Sequence, residues 1–195
     1  MPETLIQTFK ARFEALKGTV HLVSDWDAAA TAILSVLRAK GAERVALATL
    51  PEALRQVLTA ACSKEGIEVL KPPYAHETLP DAIDGADVGV SEASFAIAQS
   101  GTLVEVALND ADRLVSALPK VHIGIVAADE FVSLLQDAAP RLRSCFQEHD
   151  RNCVVSFISG PSRTGDIEMI LTLGVHGPGE AHAIVVGTTR ETSHG

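Results

Sequence analysis

Residues 159–168 carry the densest set of polar side chains that could bind a ligand. They lie between a strand-like apolar run, residues 154–158, and a helix-like apolar run, residues 167–173. A loop that turns from a strand into a helix leaves free backbone N–H groups at the helix start, which with the helix dipole form an anion site. Hydroxyl groups and a forked guanidinium there suit a carboxylate or a phosphate. The candidate binding residues are Ser159, Gly160, Ser162, Arg163, Thr164 and Asp166.

The same stretch also allows a structural interpretation and excludes two enzyme motifs. Thr164 could cap a buried helix, with Asp166 well placed in its first turn. A phosphate loop of nucleotide hydrolases needs Lys and then Ser or Thr after its second glycine, whereas Asp166 and Ile167 follow Gly165. A nucleophile elbow needs Gly-x-Ser-x-Gly, but Thr164 stands where the second glycine belongs. The sequence therefore argues against a nucleotide hydrolase and a serine hydrolase.

A second polar stretch comprises Gln99, Ser100, Gly101 and Thr102, which lie between two apolar runs. Ser-Gly supplies the residues that a hairpin turn needs, so this stretch could be a plain turn. It could also be a polar patch that faces the 159–166 loop across a cleft. The second interpretation adds these four residues to the candidate ligand site.

Histidine provides the third candidate group. His176 lies in a glycine-rich loop and could serve as an acid, a base or a ligand-binding group, or equally as a hydrogen-bonded structural residue. Glu180 and His182 would share one strand face as metal ligands, but no metal-binding motif accompanies them, and we predict no metal. The other histidines are isolated, and we interpret them as structural or solvent-facing: His21, His76, His122, His149 and His194.

Composition limits the partners that this chain can have. The net charge of −9 argues against nucleic acid or an anionic membrane surface as a main partner. No apolar run approaches the roughly 20 residues that span a bilayer, so we expect a cytoplasmic protein. The odd number of cysteines argues against a disulfide framework, and they cannot alone hold a four-cysteine iron–sulfur cluster: Cys62, Cys145 and Cys153.

The elements that must position these residues alternate between strand and helix. We predict a single domain over residues 1–195, of the α/β class, with a mainly parallel sheet flanked by helices. An amphipathic helix is expected within residues 1–18, another helix from Asp129 with a kink or restart at Pro140, and a helix over 166–173. Ligands on such sheets bind beyond the strand carboxyl ends, where we expect the 159–166 loop.

Four segments resemble a known family. The run Ile158–Glu168, followed by Leu173–Pro178, is similar to the signature of the lactate utilization protein C (LutC/YkgG) family, the LUD domain. Ala98–Val104 resembles that family's Ala-acid-Thr-Gly-Thr-Leu segment, and Leu118–Ile123 resembles the start of its Leu-Pro-Pro-Val-His strand. The resemblance covers residues 85–187, over half of the chain.

The resemblance implies both a fold and a role. The implied fold is that of the NagB/RpiA/CoA-transferase-like group, which includes sugar-phosphate isomerases, CoA transferases and formyltetrahydrofolate cyclo-ligase. The implied role is in the oxidation of L-lactate to pyruvate, beside two partner proteins, LutA-like and LutB-like, that carry the iron–sulfur clusters. This chain would then hold no redox cofactor. The alternative is a stand-alone enzyme that acts on a phosphorylated, CoA-thioester or folate metabolite.

One departure from the family pattern bears on catalysis. The family often has Glu or Asp where this chain has Gln99. A neutral amide cannot act as a nucleophile or a general base. A catalytic role inferred from the family for this position therefore does not transfer to Gln99.

Overall fold

Strands and helices alternate along most of the chain. The computed structural model describes residues 2–149, 153–165, 171–173 and 177–187. The described strands are β1 (Thr19–Val23), β2 (Arg44–Leu47), β3 (Glu68–Leu70), β4 (Val88–Glu92), β5 (Phe95–Ile97), β6 (Thr102–Ala107), β7 (Val121–Ala127), β8 (Phe131–Val132), β9 (Val154–Ile158), β10 (Arg163–Gly165), β11 (Leu171–Leu173) and β12 (Glu180–Val186). The described helices are α1 (Pro2–Ala15), α2 (Trp26–Lys40), α3 (Glu52–Lys64), α4 (Asp81–Asp84), α5 (Asp110–Ala117) and α6 (Leu135–Glu148), with a 3₁₀ turn at His76–Thr78.

A six-stranded parallel sheet forms the centre of the fold, in the order β1-β12-β7-β4-β2-β3. The chain runs outward from β2 to the edge strand β3, then returns to β4 on the other side of β2 and continues to β7 and β12. The direction of travel thus reverses between β2 and β4, which makes their carboxyl ends a topological switch point. The predicted α/β class with a parallel sheet and flanking helices is confirmed.

Helices and a second sheet bury both faces of this parallel sheet. One face packs under α2 and α3, through residues such as Val45, Val90 and Ile123. The other face packs under α1 and α5 and under a four-stranded sheet of order β8-β5-β6-β9. In the four-stranded sheet β6 pairs antiparallel with both β5 and β9. Burial on both faces explains why the parallel strands read as continuous apolar runs.

One predicted helix and the predicted start of another are wrong. Residues 171–173, where we predicted the end of the 166–173 helix, form the strand β11, which pairs antiparallel with β10. A short apolar run does not distinguish strand from helix by its period, and pairing with residues 163–165 decides the outcome here. The segment after Asp129 begins with β8, which pairs with β5, and α6 begins only at Leu135.

The predicted position of the 159–166 loop is also wrong. The loop follows β9, and β9 belongs to the four-stranded sheet, where it pairs antiparallel with β6. The loop therefore does not lie at the carboxyl edge of the parallel sheet. The sequence pattern of β9 is apolar like that of the parallel strands, so it carries no sign of which sheet the strand joins.

Candidate functional site

Three buried polar side chains meet between the two sheets. Ser91 of β4, Glu105 of β6 and His122 of β7 are exposed over only 2%, 4% and 1% of their surfaces. The Ser91 Oγ atom lies 2.7 Å from His122 Nε2, and His122 Nε2 lies 3.2 Å from Glu105 Oε1. The Ser91 hydroxyl also donates to Glu105 Oε1. We call these three residues the buried triad.

Glycines in the parallel strands allow the covering layer to come close enough to form the triad. A Cβ atom on Gly124 would lie 2.4 Å from Leu103 Cδ1, and one on Gly89 would lie 2.0 Å from the Val115 carbonyl oxygen. Leu103 and Glu105 are two residues apart on β6 and so share one face of that strand. The packing of Leu103 onto Gly124 therefore brings Glu105 down onto the parallel sheet.

The hydrogen bonds of the triad determine its protonation. Burial alone would raise the pKa of Glu105, but hydrogen bonds and charge from His122, with hydrogen bonds from Ser91 and Ser116, lower it below the usual value. The Glu105 carboxylate is thus ionised. Because the Ser91 hydroxyl donates to this carboxylate, the proton in the short contact between Ser91 and His122 belongs to Nε2. Within the described residues, Nδ1 of His122 has no hydrogen-bond partner.

Two cavities flank the triad. The first, the switch-point cleft, has a volume of about 510 Å³ and lies at the carboxyl ends of β2, β4 and β7. Ser91 and Glu105 line it, together with the carboxylates of Glu92, Asp112 and Glu130. Burial raises the pKa of Glu92. Asp112 accepts hydrogen bonds from the backbone N–H and hydroxyl of Thr49, and Glu130 pairs with Arg141.

The second cavity, the Arg163 pocket, has a volume of about 410 Å³. It is lined by Leu16, Ser116, His122, Phe157, Ile158, Ser159, Gly160, Pro161, Ser162, Arg163, Pro178 and Ala181. His122 thus faces one cavity while its hydrogen-bond partners Ser91 and Glu105 face the other. The triad therefore lies between the two cavities.

Arg163 lies at the edge of its pocket against the end of α1. Its Nη2 donates to the Leu16 carbonyl oxygen, just beyond the last residue of the helix. A cation is favourable at a helix carboxyl end, so this contact fixes the side chain in place. The guanidinium carries five N–H donors, and this contact uses one of them. The exposed side chain can therefore still bind an oxyanion.

The two polar stretches of the sequence meet through a chain of hydroxyl groups. Thr102 Oγ1 lies 2.7 Å from Ser100 Oγ and 2.7 Å from Ser159 Oγ. The stretches do not face each other across a cleft, because β6 and β9 are paired directly, with Leu103 opposite Ile158. Gly101, at φ +62°, and Gly160, at φ +100°, pack against the end of α1, where Cβ atoms would clash with or crowd residues 12–16.

Comparison with known proteins identifies the family. The LUD domain family model matches residues 6–186. The chain belongs to the LUD domain family. In solved structures, this LUD domain is similar to a DUF162 family protein from Deinococcus radiodurans, with a TM-score of 0.69, 23% identity, and coverage of 96% of this chain and 99% of that one. At that identity the likeness concerns the fold.

Curated relatives of this LUD domain match it over part of their length. A lactate utilization protein C from Shouchella clausii is 41% identical over 101 residues, which cover 52% of this chain and 44% of the relative. A lactate utilization protein C from Halalkalibacterium halodurans is 37% identical over 131 residues, which cover 66% of this chain and 56% of the relative. The matched part of this chain thus spans about half the length of these relatives. No helix in the described part of the chain is long and apolar enough to cross a membrane.

The LUD domain places the predicted site residues in two groups. Ser159, Gly160, Ser162 and Arg163 line one pocket, and Arg163–Gly165 is the strand β10. Four predicted residues lie outside the pocket lining: Gln99, Ser100, Gly101 and Thr102. Of these, Thr102 contacts the lining residue Ser159. Thr164 lies within β10. Asp166 and His176 fall outside the described residues. The Ser162 backbone N–H donates to the Pro178 carbonyl oxygen.

Sequence reasoning missed the buried triad, and it was wrong to treat His122 and His21 as isolated. A charged residue within the apolar run of β6 and a histidine within the apolar run of β7 were the available signals.

His21 Nε2 lies 3.1 Å from His182 Nδ1, and His182 Nε2 lies 2.9 Å from Glu180 Oε1. Lys40 also pairs with Glu180. Across the described ranges, no three His, Cys, Asp or Glu side chains are grouped to hold a metal ion.

Proposed function

We propose that this chain is a non-redox component of L-lactate utilization that binds a small carboxylate in the Arg163 pocket. The role is suggested by the curated relatives, which are named lactate utilization protein C. Iron–sulfur proteins of the LutA-like and LutB-like kinds would act as partners and carry the electrons. The three cysteines of this chain are too few for a four-cysteine cluster, which agrees with such a division of labour.

The observation that carries the ligand assignment is the lining of the Arg163 pocket. A guanidinium and the hydroxyl groups of Ser159 and Ser162 line one concave surface. Arginine binds carboxylates with two parallel N–H bonds, and hydroxyl donors add orientation. The switch-point cleft offers the opposite environment, since four carboxylates and no Lys or Arg are among its lining residues. A carboxylate ligand is therefore favoured in the Arg163 pocket and disfavoured in the cleft.

Calorimetric titration with L-lactate tests the ligand assignment. Arg163→Ala should weaken binding at least tenfold, since it removes the charged donors, while Arg163→Lys should retain part of the affinity. Arg143→Ala is the matched control, because Arg143 is an exposed arginine on α6 outside the pocket lining. Thermal unfolding of each variant separates lost binding from lost contact with Leu16. Equal affinity in Arg163→Ala and Arg143→Ala would overturn the assignment.

Affinity purification tests the role in a complex. Tagged protein is isolated anaerobically from its native host grown on L-lactate, and the eluate is assayed for lactate oxidation with an artificial electron acceptor. We expect iron–sulfur proteins and activity in the eluate. A lone, inactive protein would contradict the proposed partnership.

The switch-point cleft supports a second candidate, the stand-alone enzyme. Glu92 lies in this cleft at the carboxyl end of β4, and its raised pKa suits a general acid or base. Glu105 lines the same cleft, so two carboxylates share one site. The excess of negative charge disfavours phosphorylated and CoA substrates in the cleft itself. Turnover of sugar phosphates, acyl-CoA or folates by purified protein, abolished in Glu92→Gln, would establish this candidate.

A further inference from the structure

We propose that Thr102 is a positioning residue of the Arg163 pocket, where it orients the Ser159 hydroxyl as a hydrogen-bond donor to the bound carboxylate. The inference rests on the proposed function in one respect, namely that the pocket binds a carboxylate. It adds a residue outside the pocket lining that controls how one of the lining groups binds. The contact concerns orientation alone, and no proton or bond is transferred to the ligand.

Three hydroxyl groups in a row are the starting observation. Thr102 Oγ1 lies 2.7 Å from Ser100 Oγ and 2.7 Å from Ser159 Oγ. Thr102 is only 4% exposed, whereas Ser100 and Ser159 are exposed, and Ser159 lines the pocket. The buried hydroxyl of Thr102 therefore stands between two exposed hydroxyls, one of which belongs to the pocket.

The register of two strands holds Thr102 beside Ser159. β6 and β9 pair antiparallel, with Leu103 opposite Ile158, so Thr102 and Ser159 are the next two residues along these chains to face each other. Opposed residues of antiparallel strands lie close enough for a hydrogen bond between hydroxyl groups. Because the branched side chain of threonine has few favourable χ1 rotamers, Thr102 presents Oγ1 to Ser159 from a restricted set of positions.

The number of protons limits the chain of hydroxyls to two arrangements. Each hydroxyl donates one hydrogen bond and can accept two. If Thr102 accepted from both neighbours, its own buried proton would have no acceptor among the described residues. Thr102 therefore donates to one neighbour and accepts from the other. When it donates to Ser159, the Ser159 proton is free to point into the pocket; when it accepts from Ser159, the lone pairs of Ser159 face the pocket instead.

A carboxylate in the pocket selects the first arrangement. Its oxygens only accept hydrogen bonds, so they are attracted to the proton of Ser159 and repelled by its lone pairs. The hydrogen bonds then run in one direction, from Ser100 to Thr102 to Ser159 to the ligand, and each polarises the next. Thr102 thus strengthens the contact between Ser159 and the ligand from outside the pocket lining.

Titration calorimetry with L-lactate on Thr102→Val and Thr102→Ser tests the inference. Valine keeps the shape of the side chain but removes the hydroxyl, so the affinity for L-lactate should fall by about threefold or more. Serine keeps the hydroxyl, and its affinity should stay within about twofold of wild type. Ser100→Ala is the matched control, because it removes a hydroxyl from the same chain and leaves the contact of Thr102 with Ser159. Its affinity should also stay within about twofold of wild type.

A double variant separates positioning from a purely structural role. Ser159→Ala removes the group through which Thr102 acts and should weaken L-lactate binding about tenfold. Adding Thr102→Val to Ser159→Ala should then cause no further loss, because the two changes remove the same contact with the ligand. Thermal unfolding shows whether each variant folds.

Exchange of the Thr102 hydroxyl proton with water, measured by NMR, provides a readout that does not depend on Thr102→Val folding. In the wild-type protein, L-lactate should slow this exchange, because the bound carboxylate fixes the direction of the hydrogen bonds. In Ser159→Ala, L-lactate should leave the exchange unchanged. Equal exchange with and without L-lactate in the wild-type protein would contradict the proposed role.

The outcomes separate this inference from the proposed function. Equal losses of affinity from Thr102→Val in the wild-type and Ser159→Ala backgrounds would overturn the role of Thr102 and leave the carboxylate pocket standing. Wild-type affinity in a folded Thr102→Val would do the same. If L-lactate does not bind in an Arg163-dependent way, the carboxylate pocket and the inference built on it both fail.

Discussion

The hydroxyl oxygen of Ser91 lies 2.7 Å from Nε2 of His122, on the neighbouring parallel strand and beneath a second sheet. This contact joins a residue that lines the switch-point cleft to one that lines the Arg163 pocket. Glu105, on the second sheet, accepts a hydrogen bond from Ser91 and lies within ion-pair distance of His122. The three side chains therefore form a network that includes a charged group. The following predictions test this network and the packing that forms it.

Replacing Glu105 by Gln should destabilise the fold. The amide keeps the size of the side chain but removes the charge that accepts from Ser91 and His122. Hydrogen bonds to a buried charged group contribute about 1.5–3 kcal/mol each, so the free energy of unfolding should fall by about 1–3 kcal/mol. Urea denaturation measures this change, with the exposed Glu148→Gln as control. A change for Glu105→Gln as small as that for the control would mean that the network contributes no stability.

The pH dependence of unfolding should reveal the charge on Glu105. Its folded pKa is lowered below the unfolded value of about 4.3, so the stabilisation is complete above about pH 5 and is lost as the pH falls through the folded pKa. Glu52, Glu65 and Glu180 also have lowered pKa values and titrate in the same range. The difference in unfolding free energy between wild type and Glu105→Gln isolates Glu105. That difference should shrink as the pH falls below about 4; a constant difference would contradict an ionised Glu105.

Gly89→Ala should disrupt the packing of α5 on the parallel sheet. The new Cβ would lie 2.0 Å from the Val115 carbonyl oxygen, a backbone atom that cannot move without shifting the helix. Overpacking of this kind costs about 1–3 kcal/mol or more. Gly85→Ala is the matched control, because its closest contact is the far end of the Arg44 side chain, at 3.0 Å. Similar unfolding free energies for the two variants would show that α5 adjusts freely.

Cys145 and Cys153 should form a disulfide under mild oxidation. Their sulfur atoms lie 3.2 Å apart, and a bond of about 2.05 Å needs only a small approach. Oxidised glutathione would accept the two electrons and leave as two reduced glutathione molecules. Burial, and then the hydrogen bond with Cys153, raise the pKa of Cys145 to about 11, so the reaction should accelerate with rising pH.

Intact mass and peptide mapping measure this disulfide. We expect the loss of two hydrogens and a crosslinked Cys145–Cys153 peptide, with the fully buried Cys62 still reduced. Cys145→Ser should abolish the crosslink. Glutathione adducts on both cysteines without a crosslink would show that the two sulfurs do not come together in solution.

The sequence determined the class of the fold and most of its elements. Runs of β-branched residues separated by amphipathic segments dictate parallel strands covered by helices, because only such layers bury apolar residues on both strand faces. The N-terminal helix within residues 1–18 and the strand at residues 154–158 were both predicted close to their observed ranges. The signature residues 159–163 were singled out because polar side chains between two apolar runs stand out locally.

The tertiary structure decided which residues meet. Ser91, Glu105 and His122 are distant in sequence and lie on strands of two different sheets, so no local spacing predicts their contact. Their meeting depends on Leu103 packing onto Gly124 and α5 packing onto Gly89, which are long-range contacts. Residues 171–173 likewise became a strand because β10 was available to pair with them. Local pattern determines which face of an element is apolar, but only the completed packing determines what that face covers.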